Sequence, residues 1–299
     1  MEIVSWGGWD RCARLVSGET EIIVTLEVGP RIVRYGRIGG PNHMRENPEE
    51  MGLKGGSEYR SYGGHRLWIA PEDFRRTYQP ENDPVDYAVE GDVHKFGIKP
   101  DVYGLQKEIW IKAIPTGFAV GHRVTNTSPY ALAFAPWSLT VMAPGGECIF
   151  PQEPFQPHSE NFLPVRPLVL WSYTDMADPR WTWGTRTVRL RQTTNPQPQK
   201  VGTLVKAGCV AYANHGECFF KRFPYEEGAP YADFGCNFET FTRHDMLEVE
   251  SVGPLRSVEP GETAWLLESW SLLPETPPTG DAEAAEWLKA RAAERPLTW

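Results

Sequence analysis

The stretch from Tyr87 to Ser128, YAVEGDVHKFGIKPDVYGLQKEIWIKAIPTGFAVGHRVTNTS, decides the fold. Apolar and polar residues alternate through it. Turn residues interrupt the alternation at Glu90-Gly91-Asp92, Pro115-Thr116-Gly117 and Thr125-Asn126-Thr127-Ser128, the pattern of successive antiparallel strands. YALAFAPWSLTVMAPGG, residues 130–146, continues the series. In GFAVGHRVTN the period of two places Phe118, Val120, His122 and Val124 on one face, so His122 reads as a hydrogen-bonded core histidine.

The chain opens with the same grammar. A strand at Ala13–Val16, a turn at Ser17-Gly18-Glu19, the β-branched run EIIVTLEV and then RIVRYGRI make an opening meander that ends at Gly39-Gly40-Pro41-Asn42. Residues 42–56 are polar and irregular, and 73–86 read as a long loop, a kind of segment that often carries function. Residues 147–200 break the pattern with short apolar runs between prolines, as expected of an excursion over one face of a sheet. Alternation then resumes to the end of AWLLESWSLLP, with His215-Gly216 as a turn. Asp281–Glu294, DAEAAEWLKARAAE, is Ala-rich, starts on Asp and stops before Pro296, which predicts a short C-terminal helix. The expectation is an all-β, antiparallel β-sandwich forming a single domain over residues 1–299.

Composition narrows the function. A net charge of -9 gives no general basic face for nucleic acid or an anionic membrane. Five cysteines without CxxC spacing suggest neither a disulfide framework nor a thiolate zinc site. They fit free thiols in a soluble, cytoplasmic protein. Phosphate-loop, GxSxG and HExxH motifs are absent, and the seven histidines lack close metal-ligand spacing, so no cofactor and no metal are expected. Twelve tryptophans suit either core packing or stacking against sugar rings.

Chemistry is densest in Tyr59–Glu72, YRSYGGHRLWIAPE, where His65, Arg66, Trp68 and Glu72 follow a Gly-Gly turn. Strict alternation puts His65, Leu67 and Ile69 on one face and Arg66 and Trp68 on the other. In MLEVES, Glu248 and Glu250 share a face that belongs either to solvent or to a cleft. Lys221, Tyr231, Asp233, Asn237 and Glu239 crowd into an aromatic-rich segment, as polar groups do in sugar sites. Glu268 stands in an apolar strand and requires a basic partner, which the sequence does not identify.

YGGHRLWIAPE, VGHRVTNTSPYALAFAPWSLTVMAPGG and LEVESVGPLRSVEPGETAWLLESWSL together resemble the galactose mutarotase-like superfamily, over residues 10–273. The resemblance implies a β-supersandwich with a ligand cleft on its concave face. It also implies aldose 1-epimerase chemistry, in which a carboxylate takes the anomeric hydroxyl proton and an imidazole protonates the ring oxygen. Carried over, His65 matches the early histidine, Arg31 or Arg66 the nearby arginine, and Glu250 the general base. The second histidine has no match: Ala135-Pro136-Trp137 stands in its place, and His122, one strand earlier, would have to substitute. The implied ligand is a small-molecule carbohydrate. The alternatives are a non-catalytic sugar-binding protein using Trp68, Trp137, Arg66 and Glu239, or a lyase or hydrolase pairing Lys221 and arginines with an acidic sugar. In these readings Trp137, Trp68, Tyr231 and Trp270 offer stacking surfaces.

Overall fold

Alternation carries most of the chain into antiparallel strands. The computed structural model describes residues 1–299. Its strands run β1 (Glu2–Trp6), β2 (Trp9–Ser17), β3 (Thr20–Thr25), β4 (Arg31–Arg37), β5 (His65–Ala70), β6 (Asp86–Glu90) and β7 (Val93–Gly97). They continue as β8 (Leu105–Ile114), β9 (Gly117–Asn126), β10 (Leu132–Met142), β11 (Glu147–Pro151), β12 (Leu168–Leu170), β13 (Trp181–Trp183) and β14 (Thr187–Arg191). The last are β15 (Gln199–Thr203), β16 (Cys209–Asn214), β17 (Glu217–Arg222), β18 (Phe238–Arg243), β19 (Met246–Val252), β20 (Arg256–Val258) and β21 (Thr263–Leu273), followed by helix α1 (Asp281–Glu294).

Two sheets result. The first is ordered β1-β2-β3-β4-β5-β10-β19-β18-β15-β12, with β20 pairing the start of β10. The second is ordered β13-β14-β11-β16-β17-β21-β9-β8-β7-β6. The hairpin series over 87–128 forms β6 to β9, and the turn between β16 and β17 falls at His215-Gly216, both with positive φ. The first hairpin, β1 to β2, begins earlier than the strand expected at Ala13.

Between the sheets lies the largest apolar cluster, which draws buried residues from Ala13 to Leu272. All five cysteines are buried and free. No helix is long and apolar enough to cross a membrane. The fold is an all-β antiparallel sandwich closed by one C-terminal helix.

The turn that begins β5 explains how this strand enters the middle of the first sheet. Tyr62, Gly63 and Gly64 have φ of 54°, 85° and 66°. A Cβ on Gly63 would lie 2.2 Å from the Arg45 carbonyl oxygen, and one on Gly64 2.2 Å from that of Ile32. Only glycine permits this approach. The Gly64 N–H donates to Arg45 O, and its carbonyl accepts from Val141 N–H, so the turn before β5 is stitched between the segment after β4 and β10.

Candidate functional site

Register determines which side chains meet. Across β5, β10, β19 and β18, Arg66 stands opposite Leu139, Leu139 opposite Glu250, and Glu250 opposite Glu239. One step toward one end, Trp68 faces Trp137; one step toward the other, Val141, Glu248, Phe241 and Lys200 form a row. These residues share the outer face of the first sheet, which floors a cleft of about 940 Å³. Arg66, Trp68, Glu72, Trp137 and Glu248 all line it, with Lys200, Tyr59, Tyr78, Tyr173 and Phe241.

The intervening residues of the same strands point between the sheets, and this overturns the placement of three expected site residues. His65, His122 and Lys221 belong to a polar network closed off from the cleft by the first sheet. His122 Nδ1 donates to the Leu266 carbonyl (2.9 Å), so its Nε2 accepts from His65 Nε2 at 2.7 Å. His65 Nδ1 therefore accepts from Thr140 Oγ1 (3.0 Å), which in turn accepts from Lys221 Nζ (2.7 Å). Lys221 also donates to Val249 O (2.9 Å) and pairs with Glu268 at 3.0 Å. Thus Lys221 is the partner that Glu268 required.

Ser138, Ser251 (2.6 Å) and the Trp270 indole (2.7 Å) donate to Glu268 as well. Burial works against the charge on Glu268, but Lys221, His122 and the hydroxyls outweigh it and hold the carboxyl below its ordinary value. Burial pulls the Lys221 ammonium down despite Glu268. With four donors converging on Glu268, the ionised pair is the state this geometry supports. Burial, helped by the neighbouring His122 and the Lys221 charge, holds His65 well below its ordinary pKa; burial also lowers His122. His65, His122 and Glu268 are near enough to share a metal ion, but their ring nitrogens and carboxylate oxygens already bond to one another's neighbours as described. The structure thus gives both histidines and Lys221 a structural role, and Trp270, packed edge-on against His65, offers no stacking face.

Five further expected site residues, Arg31, Tyr231, Asp233, Glu239 and Glu250, lie outside the cleft lining. Arg31 is buried against Glu81 (2.9 Å), which also pairs with Lys107 (2.8 Å); the loop over 73–86 delivers that carboxylate as well as Tyr78. The Tyr231 hydroxyl accepts from Glu226 N–H, and Asp233 sits at φ 49° with its carbonyl bound by Cys236. Both belong to the loop whose Ala232 packs beside Trp68 and Trp137.

On the cleft face, the carboxylates are not equivalent. Glu250 is fully buried beneath the Trp137 indole, which donates to it at 2.9 Å, and the Lys200 ammonium at 3.2 Å. Lys200 also lies 2.8 Å from Glu239 and is held between the Trp137 and Trp171 rings, 4.8 and 4.7 Å from their centres. Trp137 therefore braces a charge cluster rather than offering an open stacking surface. One ammonium faces two carboxylates. Burial, with the Glu250 charge, pushes Glu239 up to about 8 despite Lys200, while burial of Lys200 is outweighed by Glu250 and Glu239, which hold it well above its ordinary range.

Glu248, itself buried, is the one of the three that lines the cleft. It makes no ion pair, faces the cleft two residues from Glu250, and burial together with the Glu250 charge raises it to about 7 in spite of Arg66 and Lys200. Arg66, buried like Glu248, also lines the cleft without an ion pair. Its guanidinium lies over Trp68 and Tyr59, its Nε has no partner, and its one hydrogen bond, to Ser61 O, is a long 3.4 Å. The buried Tyr59 hydroxyl is also without a partner. Glu72 binds the Tyr78 hydroxyl at the edge of the cleft.

The architecture is that of the galactose mutarotase-like fold. A candidate aldose 1-epimerase from Escherichia coli K12 matches with a TM-score of 0.58 at 11% identity, over 87% of this chain and 98% of that one. A galactose mutarotase-like protein from Lactobacillus casei ATCC 334 matches with a TM-score of 0.56 at 10% identity, over 87% and 99%. A candidate aldose 1-epimerase from Klebsiella pneumoniae matches with a TM-score of 0.58 at 11% identity, over 98% and 86%. At these identities the likeness is one of fold. No protein-family model matches the chain, and no curated protein matches its sequence.

Proposed function

We propose that the protein acts on a carbohydrate in this cleft, by proton transfer of the aldose 1-epimerase kind, with Glu248 as the group that exchanges the proton. The observation that carries the reading is a carboxylate without an ion pair, Glu248, lining the same aromatic-walled floor as Arg66, whose Nε has no partner; burial and the Glu250 charge raise that carboxylate toward neutrality. A hemiacetal hydroxyl is both donor and acceptor, so it can bridge Glu248 and Arg66. A carboxylate with a pKa near neutrality can take the hydroxyl proton and give it back.

As the proton passes to Glu248, the bond from the anomeric carbon to the ring oxygen breaks with its electrons moving to that oxygen. Arg66 and Tyr59 supply the hydrogen bonds that carry this charge. Reclosure on the opposite face returns the proton and inverts the anomer. In this scheme Phe241 and Tyr173 flank Glu248 as the stacking surfaces, while Lys200, Glu250 and Glu239 form the charged bed that tunes it. Free buried thiols fit a reducing cytoplasm.

The sugar-binding alternative uses the same cleft without turnover. Exchange spectroscopy of hexose anomers, with native protein and Glu248→Gln, separates the two readings: acceleration that the substitution abolishes belongs only to the first.

A further inference from the structure

One side of the sandwich, where both sheets end, is apolar. β12 ends the first sheet and β13 the second, and Gln199 on β15 ties the two ends together. Its Oε1 accepts from the Trp181 indole on β13 (3.0 Å) and from the Asp175 N–H beyond β12 (2.9 Å). The Trp183 indole, also on β13, donates to the Met176 carbonyl (2.9 Å). Residues 152–176, which lead into and out of β12, expose more large apolar side chains than any other stretch of their length.

This exposure belongs to a loop held by its own hydrogen bonds. Arg166 Nε donates to Glu153 O (2.9 Å), Asn161 Nδ2 to Gln156 Oε1 (2.7 Å) and the Leu163 N–H to Asn161 Oδ1 (3.0 Å). Thr203 Oγ1 donates to Pro167 O (2.7 Å), which fixes the entry to β12. The polar groups are thus turned onto one another, while Phe155, Phe162 and Leu163 stay 59%, 80% and 64% exposed. The Arg166 contact draws both arms of the loop toward β12, where Leu168 and Leu170 are exposed too, with Met176 beyond them.

β12 is also a sheet edge without the charges that usually keep edges from pairing. At the other end of the first sheet β1 carries Glu2, and the free end of the second, β6, carries Asp86 and Glu90, whereas β12 is Leu168-Val169-Leu170. From Phe155 to Tyr173 only Glu160 and Arg166 are charged, a depletion typical of an interface core. The exposed side chains on this side present on the order of 600 Å² of apolar surface, and a stable interface buries about 800 Å² per partner with its polar rim included. An antiparallel edge is complementary to itself, so the partner that matches it without further specification is a second copy of the chain.

We infer that the protein forms a two-fold dimer in which β12 of one copy pairs antiparallel with β12 of a second, and the loops over 155–163 pack across the junction. The axis that relates two antiparallel strands of one sheet stands perpendicular to it, so both clefts open on the same side of a continuous sheet. The dimer does not depend on the chemistry proposed for the cleft.

The test is sedimentation velocity of the intact protein from about 1 to 100 μM, a range that brackets a standard-sized interface of modest strength. It is repeated on Phe162→Glu/Leu163→Glu and on a control, Val102→Glu/Tyr130→Glu, whose exposed residues lie in the turns flanking β8 and β9. The native chain should sediment as a dimer with a Kd of about 10 μM or tighter. Phe162→Glu/Leu163→Glu should weaken it at least about ten-fold with an unchanged melting temperature, because these side chains are exposed in the single chain. The control should leave the Kd unchanged, and amide exchange in β12 should slow as the concentration rises. A native chain that stays monomeric through the range would overturn the dimer. A Kd moved by the control and not by the loop substitutions would place the interface elsewhere and overturn it as well. A monomer that floats with phosphatidylcholine vesicles would assign the apolar side to a lipid surface, which also overturns it.

Discussion

Lys221 and Glu268 offer a quantitative perturbation because every partner in their network is identified. Lys221→Met keeps a long side chain but removes three hydrogen bonds, to Thr140 Oγ1, Val249 O and Glu268 Oε1. Glu268 then keeps only neutral donors, Ser138, Ser251 and the Trp270 indole. Leaving one member of a buried pair uncompensated costs about 3–5 kcal/mol, a large share of the roughly 5–15 kcal/mol that stabilises a typical domain. Glu268→Gln strands the ammonium instead and should cost a similar amount. Lys221→Met/Glu268→Gln removes both charges, so its cost should fall short of the sum by about 1–3 kcal/mol. Urea unfolding followed by tryptophan fluorescence reads this through the midpoint at constant slope. Single substitutions costing under about 1 kcal/mol, or a strictly additive double variant, would refute a Lys221–Glu268 pair that stabilises the fold as an ionised unit.

Two pH effects of opposite sign follow from groups buried in the two polar clusters. His65 and His122 have folded-state pKa values below the ordinary value of about 6.5, so the unfolded chain binds protons first. Their contribution therefore falls as pH drops through that value. Nitrogen-15 shifts at pH 7 should show neutral rings, with the proton on Nε2 in His65 and on Nδ1 in His122. Glu239 works the other way. Its folded pKa of about 8 stands above the ordinary carboxyl value, so ionising it costs stability as pH rises from about 4.5 through 8. Glu239→Gln should flatten that decline, and its melting temperature should gain on the native protein between pH 6 and pH 9; an unchanged difference would contradict the raised pKa.

Much of the fold is legible because a two-residue period marks each strand. The HRLWIA alternation separates His65 from Arg66 and Trp68 just as the structure does. What the period cannot supply is which face is the cleft. Both faces of β5 are buried, so neither polarity nor hydrophobicity distinguishes them. His65 therefore reads as a site residue although it points between the sheets.

The need of Glu268 for a basic partner is visible locally, but Lys221 reaches it from β17, across a pairing with β21 between strands distant in sequence that only folding defines. Lys200 is the clearest omission. It ends a proline-rich stretch without periodicity, and its importance comes from three cross-strand neighbours, Glu239, Glu250 and Trp137. The same neighbours decide the carboxylates. MLEVES shows that Glu248 and Glu250 share a face, while the cover provided by Trp137 and Lys200 leaves only Glu248 open.

The central claim is that Glu248 exchanges a proton with a sugar held in the cleft. The direct measurement is the rate of anomer exchange, by saturation-transfer NMR, for a sugar shown to bind both native protein and Glu248→Gln. The native protein should accelerate exchange, and the substituted one should lose about 10²-fold or more of that acceleration, with affinity largely kept. Undiminished exchange by Glu248→Gln, or a native protein that binds the sugar without accelerating its exchange, would contradict it.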